Sequence, residues 1–189
     1  MSKEEIYVSV DIEATGPAPA LNSMISLGAV AFYKGKEIAS FEANIRELPE
    51  ATRDPSTMSW WRDHLEAWDY AQQNQEHPSH VMLRFNDWVK NLPGRPIFLA
   101  YPAGFDFTFV YWYFHAFVGS CPFTFSALDM KSYAMACLKT PYSETVKRNF
   151  PAEWQDPAGV VKHNHHAVDD AREQGEMFMR IMESNGHKW

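Results

Sequence analysis

Ile6-Tyr7-Val8-Ser9-Val10-Asp11-Ile12-Glu13-Ala14-Thr15-Gly16 is the stretch on which the fold turns. Ile6 to Ile12 is a short run rich in β-forming residues, and it ends in two carboxylates separated by one apolar residue. Residues two apart in a strand point to the same face, so Asp11 and Glu13 project together. Like charges held side by side are costly unless something cationic lies between them. A solvated acidic edge is the plainer reading of this pair taken alone.

Working outward, Met24 to Tyr33 reads as a second strand. Gly35 makes a turn, and Glu37 to Ile45 reads as a third strand returning beside the second. Three early strands with tight connections predict an antiparallel start to a sheet. After Pro78, the apolar residues Val81, Phe85, Trp88, Val89 and Leu92 fall on one helical face, and Pro93-Gly94 ends that helix. Pro96 to Tyr101 reads as a short buried strand, and Gly104 to Phe117 as an aromatic-rich helix. Thr140 to Lys162, with scattered Pro, Trp and charge, reads as a loop-rich insertion. Ala171, Gly175, Phe178 and Met182 share one face of a last helix. The order predicts an α/β fold: a central mixed β-sheet with three antiparallel leading strands, flanked by helices.

At 189 residues with 46% hydrophobic content, residues 1–189 are expected to form a single domain with a sizeable core. Two cysteines, Cys121 and Cys137, make no disulfide framework, and no apolar run approaches the ~20 residues of a membrane span. The expectation is a cytoplasmic protein with no membrane partner. A formal charge of −7 argues against a broad basic surface for duplex binding. It is compatible with a carboxylate site whose local sign is reversed by bound cations.

Two further segments carry candidate chemistry. Asp106 stands alone among Phe105, Phe107, Phe109 and Val110, where a carboxylate needs a partner; capping backbone N–H groups at a helix start is the plainer role. In His165-His166-Ala167-Val168-Asp169-Asp170, the acids fit a helix start and its dipole. His163, His165 and His166 form a cluster that suggests zinc, but no Cys or second His group stands at ligand spacing. Asp129 in Leu128-Asp129-Met130 reads as a helix N-cap, and Asp169 is expected to face away from Asp170's side of the helix.

Together, Asp11-x-Glu13-Ala14-Thr15-Gly16, Phe105-Asp106 and His165-x-Ala167-x-x-Asp170 resemble the DEDDh group of 3′–5′ exonucleases, of the ribonuclease H-like superfamily. That group includes oligoribonuclease, RNase T and the proofreading subunit of the bacterial replicative polymerase. The resemblance spans nearly the whole chain in the group's order. It implies that Asp11, Glu13, Asp106 and Asp170 hold two Mg²⁺ or Mn²⁺ ions and that His165 is the general base. Hard cations take oxygen ligands, and such a pair clamps the attacking and leaving oxygens of a phosphodiester displacement.

The sequence departs from the group at Pro102, four residues before Asp106, where many members carry Asn; the local support of Asp106 must therefore differ. Trp60-Trp61, after Thr57-Met58-Ser59, resembles a Trp-Trp helix start in some small bacterial and phage members. Thr15, Trp60 and Trp61 are the candidate substrate contacts; of Trp60, Trp61, Tyr111, Trp112 and Tyr113, which could stack on bases, most fit a core role better. The resemblance implies an exonuclease acting on single-stranded RNA or DNA 3′ ends, in a group whose members often form homodimers. Two alternatives share the fold: an RNase H-type endonuclease, and a catalytically silent nucleic-acid-binding module. The His-x-Ala-x-x-Asp block argues against the first, and the presence of all four carboxylates with the histidine argues against the second.

Overall fold

The computed structural model describes residues 4–155 and 165–189. The first strand, β1 (Glu5–Ala14), lies in the middle of a five-stranded sheet. Antiparallel to it run β2 (Met24–Tyr33) and then β3 (Lys36–Asn44), as the early turn signals predict. On its other side lie β4 (Arg95–Ala100) and the two-residue β5 (Leu128–Asp129), both parallel, giving the order β3-β2-β1-β4-β5. The sheet is mixed and flanked by helices.

The period-two pattern of β1 divides the core. Ile6, Val8, Val10 and Ile12 face α3 (Pro78–Lys90) and α4 (Ala103–Phe117), packing with Val81, Phe85, Phe109, Val110 and Phe114. The opposite face meets α5 (Met130–Leu138) and α6 (Ala167–Ser184), where Val30, Phe32 and Leu99 pack with Ala134, Phe178 and Ile181. Ser9, Asp11 and Glu13 belong to that second face by alternation.

Two short helices follow: α1 (Pro55–Arg62) reaches the end of β1 through Trp61, and α2 (Leu65–Ala71) packs on Trp61 and Ile25; periodicity does not reveal them as a pair. Asp54 accepts the Thr57 N–H at 2.8 Å and caps α1, with Pro55 in its first turn, so an Asp-Pro start signal was present. Thr140 to Lys162 is loop-rich, as expected, over its described residues. Its described part, 140–155, contains two short 3₁₀ turns, Lys147–Asn149 and Ala152–Trp154. The Trp154 indole is buried and donates to Ser184 Oγ, tying this segment to α6. Residues 156–162 of that segment lie outside the described residues. Among the described residues, no helix is long and apolar enough to cross a membrane.

Candidate active site

β1 outruns its parallel neighbour. Its pairing with β4 ends at Ser9↔Leu99, while its pairing with β2 continues past Asp11↔Gly28 and Glu13↔Ser26. Asp11 and Glu13 therefore stand at a point where one side of the strand has lost its ladder partner. Asp106, in the first turn of α4, fills part of that gap: its Oδ1 accepts the Ile12 N–H at 3.0 Å. It is 5% exposed, and it is not the cap of its own helix.

Pro102 occupies the α4 cap position and offers no side-chain acceptor. Asp129 supplies one from elsewhere. Its Oδ2 accepts the Ala103 N–H at 2.7 Å while its Oδ1 accepts the Ser132 N–H at 2.6 Å, so one carboxylate closes the starts of both α4 and α5. The first of these bonds is the altered support for Asp106 that Pro102 requires.

Asp170 arrives on α6, with His165 two residues before the helix begins, and α6 is held against the sheet at small residues. A Cβ on Gly28 would sit 2.1 Å from the Ala167 carbonyl carbon and from the Val168 nitrogen. One on Gly175 would sit 2.2 Å from the Phe32 ring. Between them, Gln174 Nε2 donates to the Val10 carbonyl at 2.7 Å, fixing the register of helix on strand. Gly28 is the residue opposite Asp11, so the absence of a side chain there brings the start of α6, with Asp170, up to the carboxylates of β1. Gly28→Ala is expected to drive its methyl into the backbone at the start of α6, costing about 1–3 kcal/mol of stability. The displaced constellation should lose turnover by roughly 10²-fold. Thermal melts and single-turnover rates on the folded variant measure both, and wild-type turnover would mean that this approach does not set the site.

His165 and His166 diverge. His165 has φ +57°, a left-handed conformation that L residues adopt at a cost of about 1–2 kcal/mol; such strain is concentrated at functional positions. Its Nδ1 lies 3.8 Å from Glu13 Oε1. His166 has φ −93° at the α6 cap, and its ring lies flat on Tyr70, with centroids 3.8 Å apart and an interplanar angle of 9°. The suggested three-histidine zinc cluster therefore does not form from these two rings, and His163 lies outside the described residues. Asp169 points away from Asp170, toward Arg172 Nη1 at 3.1 Å.

Donor atoms of Glu13, His165 and Asp170 all fall within 4.8 Å of one another, and Asp170 is 2% exposed. The Asp11 carboxyl is pushed well above the usual carboxylate range, first by desolvation and then by the charges of Asp106, Glu13 and Asp170. Asp106 is raised to about 7 by desolvation, against the opposing pull of the Ile12 N–H. Four carboxylates thus share one water-poor corner.

The expected substrate contacts fare differently. Thr15 is fully buried, and its Oγ1 accepts the Ser23 N–H at 2.9 Å, so it pins the strand-to-loop turn rather than facing a ligand. Trp61 is 1% exposed and its indole donates to the Ala14 carbonyl at 3.0 Å; it braces the end of β1 and has no free face for a base. Both expectations are corrected on burial. Trp60 is 37% exposed, stacks on His64 with centroids 4.0 Å apart, and stands edge-on to the His165 ring at 4.7 Å. His64, at i+4 on the same side of the chain as Trp60, was missed in the sequence. Tyr113 is buried and its hydroxyl accepts the Met24 N–H at 2.8 Å, a core role as expected.

The model of the family described as the 3′–5′ exoribonuclease Rv2179c-like domain matches residues 6–182. The chain is 32% identical over 189 residues to the 3′–5′ DNA exonuclease Cap18 of Escherichia coli, covering 94% of this chain and 92% of that protein. Among solved structures, the nuclease domain of 3′hExo, a DEDDh family member bound to rAMP, aligns with a TM-score of 0.68 at 13% identity, covering 97% of each chain. E. coli exonuclease I in complex with a dA16 oligonucleotide aligns with a TM-score of 0.67 at 13% identity, over 97% of this chain and 42% of that one. At such identities the two structures speak for the fold, and the longer sequence matches speak for the family.

Proposed function

This chain belongs to the Rv2179c-like family of 3′–5′ exonuclease domains, and we propose that it removes nucleotides from the 3′ end of single-stranded nucleic acid by a two-cation displacement with His165 as general base. The observation that carries this reading is the convergence of Glu13, His165 and Asp170 donor atoms beside Asp11 and Asp106.

The residues fit a pair of divalent cations. The donor set is oxygen-rich, which suits hard ions such as Mg²⁺ and Mn²⁺. Asp11 and Asp106 are held toward the neutral form when no cation offsets repulsion and desolvation. Asp11, Glu13, Asp106 and Asp170 would hold the ions, which when bound acidify the attacking water and neutralise charge on the phosphodiester. His165 accepts the proton of that water at Nδ1, the ring nitrogen turned toward Glu13. An imidazole, with an ordinary pKa near ~6.5, can take it at neutral pH. Trp60 and His64 pack against the His165 ring, leaving an exposed aromatic edge where a terminal base can stack.

The acidic charge of the protein supports a local grip on a strand end over a grip along duplex. Digestion of matched labelled RNA, single-stranded DNA and duplex with Mn²⁺ tests the whole reading at single-nucleotide resolution. A ladder from the 3′ end of the single strands is expected. Internal cuts would favour an endonuclease, absence of product a binding module, and faster digestion of blunt duplex would overturn the single-strand preference.

Metal removal gives a second expected result. Mg²⁺ or Mn²⁺ at about 100 times its Kd should stabilise the fold by ~2.7 kcal/mol, read as a rise in Tm. Because Asp106 is raised to about 7 in the metal-free chain, the folded state holds more protons than the unfolded one between roughly pH 4 and 7. Stability contributed by this group is therefore present at low pH and lost as pH rises through about 7. The metal-induced rise in Tm should be larger at pH 8 than at pH 6. Activity should vanish in excess EDTA; full activity there would end the two-cation reading.

A further inference from the structure

A cleft of about 270 Å³ lies along α6, lined by Lys147, Arg148, Gln155, Glu173 and Met177, with Glu173 one turn beyond Asp170. Its helical wall steps away from the site in turns: Asp170, Glu173 and Met177 are three and four residues apart and share one side of the helix. Opposite that wall stands Lys147, at the start of the 3₁₀ turn Lys147–Asn149.

The Lys147 ammonium is held from more than one direction. Its Nζ lies 3.1 Å from Glu173 Oε2 and 5.8 Å from the centroid of the Tyr101 ring. Tyr101 follows β4 at the same end of the sheet as the catalytic candidates, and its hydroxyl donates to the Thr145 carbonyl at 2.9 Å, anchoring the segment that carries Lys147. An ammonium has three N–H donors, and the bond to Glu173 uses one. The Lys147 side chain is 31% exposed, so the others can reach a ligand in the cleft. Its charge also acts at Asp11, where it opposes the upward push of the three carboxylates. Arg148 lines the same cleft.

We propose that Lys147 is a substrate-positioning residue whose ammonium binds the backbone phosphate next to the scissile one. This rests on the 3′–5′ exonuclease reading of the site, and that reading also fixes which phosphate it is. The nucleotide removed carries a 3′ hydroxyl, so the only neighbouring phosphate lies one linkage toward the 5′ end. An otherwise acidic chain then grips its strand with one placed cation beside the cut, instead of with a basic surface. Because a phosphate contact positions without reading bases, this contact is indifferent to sequence.

The test compares a dinucleotide NpN, which has only the scissile phosphate, with a trinucleotide NpNpN, which adds the neighbouring one. For wild-type protein with saturating Mn²⁺, release of the first pN from each substrate measures KM and kcat. Lys147→Ala is expected to raise KM for NpNpN by about tenfold with little change in kcat, and to alter NpN far less. Lys147→Arg should restore most of the loss. A trinucleotide with an uncharged methylphosphonate at the linkage next to the scissile one should show the same KM increase with wild-type protein, and Lys147→Ala should add nothing to it. The salt dependence of KM for NpNpN should also become shallower by roughly one phosphate contact in the variant. Equal losses on NpN and NpNpN, or a methylphosphonate substrate cut by wild-type protein as readily as the native one, would overturn the assignment. The second arm needs no variant and so is independent of folding. If wild-type protein releases no pN from either substrate, the exonuclease reading fails instead.

Discussion

Asp11→Asn is expected to abolish turnover while leaving the metal-free protein as stable as wild type or more so. The substitution keeps shape and removes the charge at the centre of the cluster, where Asp11 faces Asp106, Glu13 and Asp170 in a desolvated setting. In the metal-free state that charge is a liability, so its removal relieves repulsion. In the working state it is one of the carboxylates that would hold the cations, and its loss is worth several kcal/mol of transition-state stabilisation, on the order of 10³-fold in rate. The opposite signs are the signature. A residue that merely holds the fold would lose activity and Tm together. Single-turnover rates and melting curves with and without Mn²⁺ distinguish the two, and the metal-induced rise in Tm should shrink in the variant. If Asp11→Asn and Glu13→Gln both cleave at wild-type rates, the active site lies elsewhere.

His165→Ala is expected to lower the rate by about 10²–10⁴, the usual contribution of a positioned base, while metal binding survives on the carboxylates. His166→Ala should leave chemistry largely intact and change stability modestly. The two rings are adjacent in sequence yet occupy different surroundings. A left-handed turn at His165 brings its Nδ1 to 3.8 Å from Glu13, whereas His166 stacks on Tyr70 and sits 3.9 Å from Asp169. Both variants are compared at saturating Mn²⁺ after circular dichroism confirms their folding. The wild-type rate should also rise with pH through the imidazole range, and the His165→Ala profile should lose that limb. An inactive His166→Ala beside an active His165→Ala would shift the assignment of the base by one residue.

The fold was legible wherever one segment's local pattern determines its neighbours. Alternation in β1 puts Asp11 and Glu13 on one face without any tertiary information. The turn at Gly35 joins strands that pair antiparallel, and the apolar stripes of α3, α4 and α6 follow the helical period. That four separate carboxylates and one histidine belong to one site came from motif resemblance, not from periodicity.

What lay beyond the sequence is what depends on distance in space between segments far apart in the chain. Asp106 reaches Ile12 across 94 residues and Gln174 reaches Val10 across 164, and no local pattern encodes either bond. Thr15 and Trp61 stand in the right place in the motif to look like substrate contacts, yet both are buried and spend their polar atoms on the turn and the end of β1. Asp129 looks like an ordinary cap, and only the packed structure shows its second oxygen closing the helix that Pro102 cannot cap. Lys147 sits in a stretch with no regular pattern at all, and its place beside the carboxylates arises from a 3₁₀ turn docked on α6. Sequence alone determined which residue types the chain offers and which face of each element they occupy, because backbone geometry is local. The tertiary structure decided which of them meet and which are shut away from solvent, because burial and approach are properties of packed surfaces.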